Sequence, residues 1–350
     1  MKILHTADIH LAKYGDERWS ALQAILDVGK REKIGVLAIS GDLFDEKLDV
    51  DDLRPKIRGL FSNNGFDIVL VSGNHDCNVC SDLFFGSDVK LLSDLSNPYE
   101  KGEVRIWGLP FEKISNEQLI EKLQYLKSET KKENMNILLY HGELLDAFFS
   151  RNDLGAEGEQ SYMPIKLAYF DEINVNYVLA GHFHSSFDVR TLKNGGYFVY
   201  PGSPISITKK ETGKRSVNLF ETGKSPNQYL LDTNHFEQII FTLNPFNGNK
   251  PLEELAGILK KAHPAAKILL TVDGYFDKAK IGMTEAELPK AIEKIVGKKC
   301  EFCFEAREIH KILDDELFKS FSKKLDVAGY NDVKKQELLQ VAIKAFMEAS

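Results

Sequence analysis

The chain has 350 residues, of which 43% are hydrophobic and 28% charged, and its formal net charge is −7 at pH 7. This composition is typical of a folded globular protein, and the length favours a large catalytic unit plus a smaller one. The acidic balance excludes a uniformly basic protein that coats nucleic acid, although a local basic patch remains compatible with it. The N-terminus MKILHTAD lacks a signal-peptide pattern and no apolar run is long enough to span a membrane, so we expect a cytoplasmic location.

Short apolar runs alternate with amphipathic stretches over the first two thirds of the chain. The stretches 17–33 and 115–129 have the apolar spacing of helices. Alternation of this kind predicts an α/β sheet covered by helices. The predicted strands are KILHTA (2–7), VLAIS (36–40), DIVLVS (67–72), VRIWGL (104–109), NILLYH (136–141) and NYVLAG (176–181).

The remainder of the chain is predicted to complete this unit and then to form two smaller ones. GGYFVYPGSP (195–204) and RSVNLFE (215–221) are interpreted as a hairpin-like pair that closes the first unit. A strand at 236–243 and a Pro/Asn/Gly-rich break precede a helix–strand–helix–strand pattern, which predicts a small α/β cap. The predicted domains are 1–235, 236–305 and a helical segment, 306–350.

Five of the predicted strands end in polar residues of one restricted kind. Open α/β sheets place their ligand sites just beyond the carboxyl ends of their strands, so these five ends are expected to converge. Each motif alone is weak, because a GD or GNH after a strand is usually a turn. Their joint occurrence favours a single site. The side chains expected there are Asp8, His10, Asp42, Asn74, His75, His141, His182 and His184.

This set of side chains suits a pair of metal ions. Imidazole and carboxylate groups, with one amide and no thiolate, are ligands for Mn²⁺, Fe or Zn²⁺. Two metals ~3.5–4 Å apart clamp a phosphoryl group and activate a water for in-line attack. Of the other histidines, His5 is interpreted as structural, and His235, His263 and His310 as surface residues.

The motif order D-x-H, G-D, G-N-H-D, H and G-H-x-H resembles that of the calcineurin-like metallophosphoesterases. Within that superfamily, roughly residues 1–220 resemble the SbcD-type nuclease subunits of the DNA double-strand-break repair complex. The resemblance implies a two-sheet metallophosphoesterase sandwich flanked by helices, with the small α/β cap and C-terminal helices beyond it. The motifs that carry the resemblance are KILHTADIHL, GDLFD (41–45), GNHD (73–76), AGHFH (180–184) and YPGSP (200–204).

The resemblance also implies a role for each residue of the site. His75 is expected to protonate the leaving oxygen or to stabilise the charge that develops there, with Asp76 as an orienting partner. Asp45 departs from the pattern, because some relatives have a histidine there, and this leaves the balance of exonuclease and endonuclease activity open. The implied metal is Mn²⁺. Its implied ligands are Asp8, His10 and His184 at the first site and Asn74, His141 and His182 at the second, with Asp42 bridging them.

Two segments are candidates for contact with nucleic acid. From Arg190 to Lys224 there are seven basic residues and two acidic ones, and the tract TKKETGKR (208–215) begins shortly after YPGSP. One interpretation is that this basic tract lies beside the site and binds a phosphate backbone. The other, which explains the pattern equally well, is that the lysines protect the edge of a hairpin from pairing with another chain. The candidate DNA-binding residues are Lys13, Tyr14, Arg18, Lys209, Lys210, Lys214 and Arg215.

An apolar stripe at helical spacing lies near the C-terminus. One interpretation is a helix that packs on its own unit. The other, which the resemblance implies, is a helix that docks on the coiled-coil base of an SMC-like ATPase of the SbcC type. The stripe consists of Leu338, Leu339, Val341, Ala342, Ala345 and Phe346.

The cysteines form two CxxC pairs, Cys77/Cys80 and Cys300/Cys303. A zinc site would need each pair to form a knuckle. Neither pair contains the glycine that usually helps the chain of a knuckle to turn. CEFCFEA predicts a strand, on which residues three apart face opposite sides. We therefore expect GNHD rather than CNVC to carry the chemistry.

The leading hypothesis is a Mn²⁺-dependent DNA nuclease with two metal ions that forms a homodimer and works with the ATPase. A second hypothesis, favoured by the acidic net charge, is a phosphodiesterase or phosphatase for nucleotides or other small molecules with the same site. A third is a non-catalytic DNA-binding scaffold, which the complete ligand set disfavours.

Overall fold

The computed structural model describes residues 1–46, 50–77, 85–146, 162–246, 250–297 and 300–349. The chain divides into two compact units, Met1–Phe236 and Glu237–Ser350. Cys80 lies outside the described residues. Within the described ranges, no helix combines the length and apolar character needed to cross a membrane.

The first unit alternates strands and helices. Helix α1 begins after Asp16, whose side chain accepts a hydrogen bond from the backbone N–H of Trp19, and α3 begins with a capping box formed by Ser115 and Gln118. Both helices match the stretches predicted from apolar spacing. The elements are β1 (Lys2–Thr6), α1 (Glu17–Glu32), β2 (Val36–Ser40), α2 (Val50–Phe61), β3 (Asp67–Val71), β4 (Val89–Leu91), β5 (Tyr99–Lys101), β6 (Val104–Leu109), α3 (Asn116–Glu129), β7 (Met135–His141), a 3₁₀ helix (Leu167–Phe170), β8 (Tyr177–Gly181), β9 (Asp188–Thr191), β10 (Tyr197–Tyr200), β11 (Ser216–Glu221) and β12 (Gln228–Leu230).

Two mixed sheets organise these strands. The first has the order β12-β11-β1-β2-β3-β4, and the second has the order β5-β6-β7-β8-β10-β9. Strands β1 to β4 run parallel, as do β6, β7, β8 and β10. Because parallel strands in one sheet end at the same edge, the carboxyl ends of β1, β2 and β3 lie side by side, and so do those of β7 and β8.

Three apolar layers hold the first unit together. One layer lies between the sheets and contains Ile3 and Val69 of the first sheet with Ile137 and Leu179 of the second, all fully buried. The outer face of the first sheet packs on α1 and α2, and the outer face of the second packs on α3. These layers confirm the predicted two-sheet α/β sandwich flanked by helices.

The predicted hairpin-like pairing of 195–204 with 215–221 is wrong. Strand β10 pairs with β8 and β9 in the second sheet, whereas β11 pairs with β1 and β12 in the first. The YPGSP segment begins at Tyr200, the last residue of β10, and its two prolines cannot donate ladder hydrogen bonds. The chain therefore leaves one sheet there and enters the other.

The second unit is a smaller α/β arrangement followed by helices. Its sheet has the order β13-β14-β15, and β16 also pairs with β14. Leu339 and Ile343 of the C-terminal stripe region are buried, whereas Val341 is 66% exposed, so α9 packs mainly on its own unit. The elements are β13 (His235–Leu243), α4 (Pro251–Lys261), β14 (Ala266–Phe276), α5 (Lys278–Ile281), α6 (Glu287–Val296), β15 (Cys300–Phe304), β16 (Arg307–Glu308), α7 (His310–Asp314), α8 (Glu316–Val327) and α9 (Asp332–Ala349).

Two predictions about individual residues have opposite outcomes. The prediction that His235 is a surface residue is wrong, because it is only 2% exposed, with Nδ1 2.9 Å from the carbonyl oxygen of Thr233. Cys300 and Cys303 lie on β15, as predicted, and the first is partly buried while the second is exposed. This alternation is that of a strand rather than of a zinc knuckle.

Candidate metal centre

The strand ends of both sheets meet at one place in the first unit. The backbone N–H of Asp8 donates to the carbonyl oxygen of Gly41 at 3.1 Å, and that of His10 donates to the carbonyl oxygen of Asp42 at 2.9 Å. The N–H of His182 donates to both carboxylate oxygens of Asp8, at 2.9 and 3.1 Å. These bonds join the loops after β1, β2 and β8.

The backbone is strained at this meeting point. Asp8, His10, Asp42 and His182 have φ values of 55°, 50°, 51° and 103°, in the left-handed region that non-glycine residues rarely adopt. Such strain persists only where the surrounding structure enforces it, and it concentrates at functional sites. Gly181 is required by close packing, because a Cβ there would lie 1.9 Å from the carbonyl oxygen of Ser40.

One group of side chains forms a compact cluster of possible metal ligands. Asp8, His10, Asp42 and His184 each offer one ligand atom, and these atoms lie within 4.8 Å of one another. The Nε2 atoms of His10 and His184 are 3.2 Å apart, and His184 Nε2 is 3.8 Å from Asp8 Oδ1. The four residues predicted around the first metal are thus together.

A second group adjoins the first. Asn74 Oδ1 lies 2.9 Å from His141 Nε2 and 3.3 Å from His182 Nδ1. Asp42 Oδ2 lies between the groups, 3.4 Å from His141 Nε2 and 3.6 Å from His10 Nε2. The seven predicted ligands therefore lie together, with Asp42 Oδ2 between the two groups.

These residues fit divalent metal ions. Asp42 is 1% exposed, and its Oδ2 accepts no hydrogen bond from the described residues, which is costly for a buried carboxylate unless a cation is bound nearby. With metal–nitrogen distances of about 2.0–2.1 Å, two imidazole ligands of one ion lie about 3 Å apart. The Nε2–Nε2 distance of His10 and His184 matches this separation.

The pKa values show how strongly the buried charges depend on one another. Burial raises the pKa of Asp8 to about 6, although His184 and His141 oppose this shift. Burial lowers the pKa of His141, but the nearby Asp42 carboxylate outweighs that effect and raises it to about 10. The pKa of Asp42 is depressed in spite of its burial, mainly by His141.

A network beneath the site orients His141. Its Nδ1 lies 2.8 Å from the carbonyl oxygen of Ser40 and donates to it, which leaves Nε2 facing Asn74 and Asp42. The Ser40 hydroxyl donates to the carbonyl oxygen of Leu179 at 2.7 Å, so it accepts from His5 Nε2 at 3.1 Å. Burial lowers the pKa of His5 to about 3, so His5 is neutral at neutral pH. The sequence pattern identifies His5 as structural but gives no sign of Ser40, the last residue of β2.

His75 lies at the edge of the cluster. Its ring packs edge-on against the ring of His10, with centroids 4.7 Å apart, and it is partly exposed. Its backbone N–H donates to Asp42 Oδ1 at 2.9 Å. A partly exposed imidazole beside these candidate ligands can exchange a proton with a bound substrate.

Asp76 is an anchor between two loops. It is fully buried, and its carboxylate accepts hydrogen bonds from the backbone N–H groups of Leu43 at 2.8 Å, Phe44 at 3.2 Å and Gly73 at 2.7 Å. Burial raises its pKa to about 6, although these backbone bonds oppose the shift. Asp76 therefore joins the GDLF loop to the GNHD loop.

The loop after β1 and the first turn of α1 contain three of the candidate DNA-binding residues. Lys13 is exposed, and Tyr14 is 52% exposed, with its ring packed edge-on against Trp19. Arg18 donates to the carbonyl oxygen of His10 and pairs with Asp45 at 2.7 Å. Arg18 thus supports the loop that carries His10, while Lys13 and Tyr14 face solvent.

The basic tract after YPGSP divides into outward and inward residues. Lys209, Lys210 and Lys214 are exposed. Arg215 is only 3% exposed, and its guanidinium donates to the carbonyl oxygens of Ser203 at 3.0 Å and Ser185 at 2.9 Å. A DNA-binding role for Arg215 conflicts with this burial, because its donors already serve the backbone.

Comparisons with known proteins agree with these features. The model of the calcineurin-like phosphoesterase family matches residues 1–186. The DNA double-strand break repair protein Mre11 of Sulfurisphaera tokodaii is 25% identical over 285 residues, which cover 73% of this chain and 68% of that protein. The SbcD subunit of the nuclease SbcCD of Staphylococcus epidermidis is 26% identical over 292 residues, covering 73% and 71%. Among solved structures, TT1561 of Thermus thermophilus aligns with a TM-score of 0.44 and 13% identity, over 65% of this chain and 98% of that one.

Proposed function

The chain belongs to the calcineurin-like phosphoesterase family, and we propose that it is a two-metal DNA nuclease of double-strand-break repair. The resemblance inferred from the motifs is confirmed, and the protein is a metal-dependent hydrolase. The observation that carries the proposal is the position of Asp42 between two groups of nitrogen and oxygen ligands. The names of the two similar proteins, a nuclease subunit and a double-strand break repair protein, support DNA as the substrate.

We assign the ligands to two ions that share Asp42. The donor atoms are nitrogen and oxygen without sulfur, which suits Mn²⁺. When bound, two such ions polarise the phosphoryl group and activate a water. The protein holds the imidazoles in the ligating orientation, as Ser40 does for His141. The proposed ligands are Asp8, His10 and His184 at the first ion and Asn74, His141 and His182 at the second.

His75 is proposed to give a proton to the sugar oxygen that leaves when the phosphodiester bond breaks. Its backbone N–H is held by Asp42, and its ring rests on His10, so the ring stays at the rim of the metal centre. Positioned acids of this kind contribute about 10²–10⁴-fold to a reaction rate. Of the predicted DNA-binding residues, Lys13, Tyr14, Lys209, Lys210 and Lys214 retain a proposed role at exposed positions.

The test of this proposal is a nuclease assay on linear double-stranded and single-stranded DNA. We expect cleavage with Mn²⁺, weaker or no cleavage with Mg²⁺, and none with EDTA. Bis(p-nitrophenyl) phosphate serves as a second substrate. Hydrolysis of this ester without DNA cleavage would instead identify a small-molecule phosphodiesterase, and hydrolysis of neither substrate would favour the non-catalytic scaffold.

We also propose that the protein forms a homodimer and binds an SMC-like ATPase of the SbcC type through its C-terminal helices. The name of the S. epidermidis relative describes one subunit of a larger nuclease. Leu317, Val327 and Val333 of these helices are 69%, 87% and 70% exposed, so their apolar side chains are open to contact with a partner.

Charged substitutions at two of these positions test the ATPase interaction. Removal of 306–350 would uncover Phe246 and Tyr275, which pack against the apolar cluster of that segment, so point substitutions are preferable. Val327→Glu combined with Val333→Glu is expected to reduce recovery of the ATPase in a pull-down by at least about tenfold, because each would place a charge in an apolar interface. Unchanged recovery would contradict this docking surface, and sedimentation of the wild-type protein as a monomer would contradict the homodimer.

A further inference from the structure

A buried glutamate lies behind one of the proposed metal ligands. Glu211 is 3% exposed and lies in the segment between β10 and β11. Its Oε1 is 3.6 Å from His184 Nδ1. In the sequence it is one of two acidic residues in a basic tract, and nothing in that pattern distinguishes it from a surface residue.

The segment after YPGSP builds a complete set of partners around this carboxylate. Oε2 accepts from the backbone N–H of Ile207 at 2.7 Å and from the Ser203 hydroxyl at 3.2 Å. Oε1 accepts from the backbone N–H and the hydroxyl of Thr208, at 3.2 and 3.0 Å. The carboxylate is therefore held in place independently of His184.

The ring of His184 connects this carboxylate to the metal centre. Its Nδ1 faces Glu211, and its Nε2 lies 3.2 Å from His10 Nε2. A neutral imidazole carries its proton on one nitrogen and can bind a metal only through the other. A carboxylate near Nδ1 favours the proton there and leaves the lone pair on Nε2 directed at the first metal site.

Arg215 holds the backbone of the same ligand. Its guanidinium donates to the carbonyl oxygens of His184, Ser185 and Ser203. The main chain of His184 is thereby fixed by Arg215, while the ring is oriented by Glu211.

We propose that Glu211 is a positioning residue of the first metal site, which sets the tautomer and orientation of His184. The inference rests on the proposed pair of metal sites and is independent of DNA as the substrate. Its simpler alternative is that Glu211 only caps the backbone at 207–208. The two roles differ in a measurable way, because only the first changes the affinity for metal.

Glu211→Gln separates the two roles. The glutamine keeps the length of the side chain and one oxygen, which can still accept from the backbone N–H of Ile207. Its amide can donate to His184 Nδ1, which would move the imidazole proton to Nε2 and block metal binding there. The matched control is Thr208→Val, which removes a hydroxyl bonded to Glu211 and leaves the carboxylate facing His184.

The experiment is a titration of the metal-free full chain with Mn²⁺, followed by electron paramagnetic resonance. The wild type and Thr208→Val are expected to bind two spin-coupled Mn²⁺ ions. Glu211→Gln is expected to bind one of the two about 10–100-fold more weakly and to lose the coupled signal at the same Mn²⁺ concentration. Thermal unfolding of each metal-free variant checks that it is folded. If Glu211→Gln does not fold, Glu211→Asp, with the same charge on a shorter side chain, is expected to show the same loss.

Each outcome decides the inference. Two coupled ions of unchanged affinity in the folded glutamate variant would show that Glu211 only caps the backbone, while the proposed function would stand. Equal weakening in Thr208→Val would likewise assign the effect to the loop rather than to His184. A wild type that binds no Mn²⁺ would overturn both this inference and the proposed metal sites.

Discussion

Asp42→Asn is expected to abolish Mn²⁺-dependent hydrolysis of both DNA and bis(p-nitrophenyl) phosphate, with a loss of at least about 10³-fold. Asp42 is the one residue whose carboxylate oxygen lies between the two groups of ligands, among those that the structure describes. A neutral amide there weakens both sites at once. Bound metals contribute several kcal/mol to the stabilisation of the transition state, and about 1.4 kcal/mol corresponds to a tenfold change in rate. Steady-state kinetics and Mn²⁺ stoichiometry measure the loss.

Asp45→Asn is the matched control, because it makes the same chemical change in the same loop. Asp45 is partly exposed and pairs with Arg18, and exposed pairs of this kind contribute about 0–1 kcal/mol. We expect it to retain two bound Mn²⁺ ions and hydrolysis within a few-fold of the wild type. If Asp42→Asn still bound two ions and kept more than a tenth of the activity, the bridging role of Asp42 would be wrong.

His75→Ala is expected to lose about 10²–10⁴-fold in the rate of DNA cleavage, which is the contribution of a positioned general acid. The same variant should lose less than about tenfold on bis(p-nitrophenyl) phosphate, since p-nitrophenolate leaves as a stable anion that needs no proton. The affinity for Mn²⁺ should not change, because His75 is proposed to protonate the substrate rather than to bind metal. Comparison of the two substrates under saturating Mn²⁺ measures the difference.

His263→Ala provides the control for the loss of a histidine. His263 is partly exposed and belongs to the second unit, so both activities should remain at the wild-type level. An equal loss on both substrates in His75→Ala would contradict a role in leaving-group protonation. It would instead assign His75 to the support of Asp42, to which its backbone N–H donates.

The strands that carry the site could be predicted closely from the sequence. Strands such as β2 and β7 are buried on both faces, so they read as continuous apolar runs with clear ends. Because ligand sites lie at the carboxyl ends of parallel strands, the polar residues after those runs could be assigned to one place. The spacing of His182 and His184 also predicted that both lie at one site. Within that site, the ring of His184 belongs to the first group of candidate ligands and the ring of His182 to the second.

The supporting residues could not be predicted, because their surroundings come from distant parts of the chain. Arg215 and Lys214 are neighbours in one basic tract, yet the first is buried under the His184 segment and the second is exposed. Glu211 likewise lies beside two exposed lysines. The charges of neighbouring residues do not reveal which side chain of a tract is buried. For Arg215, burial depends on contacts with residues about 30 positions away in the sequence, such as Ser185. The pairing of β10 and β11 was mistaken for the same reason.

The position of β1 in its sheet has a consequence for the order of events during synthesis. Strand β1 lies between β2 and β11, and Lys2 stands opposite Glu221, so its sheet is complete only after most of the first unit has left the ribosome. Asp8, His10 and Asp42 emerge long before His184. At translation rates of about 5–20 residues per second, the interval is on the order of ten seconds. A site that includes His184 is therefore assembled only after the N-terminal half of the unit has been synthesised.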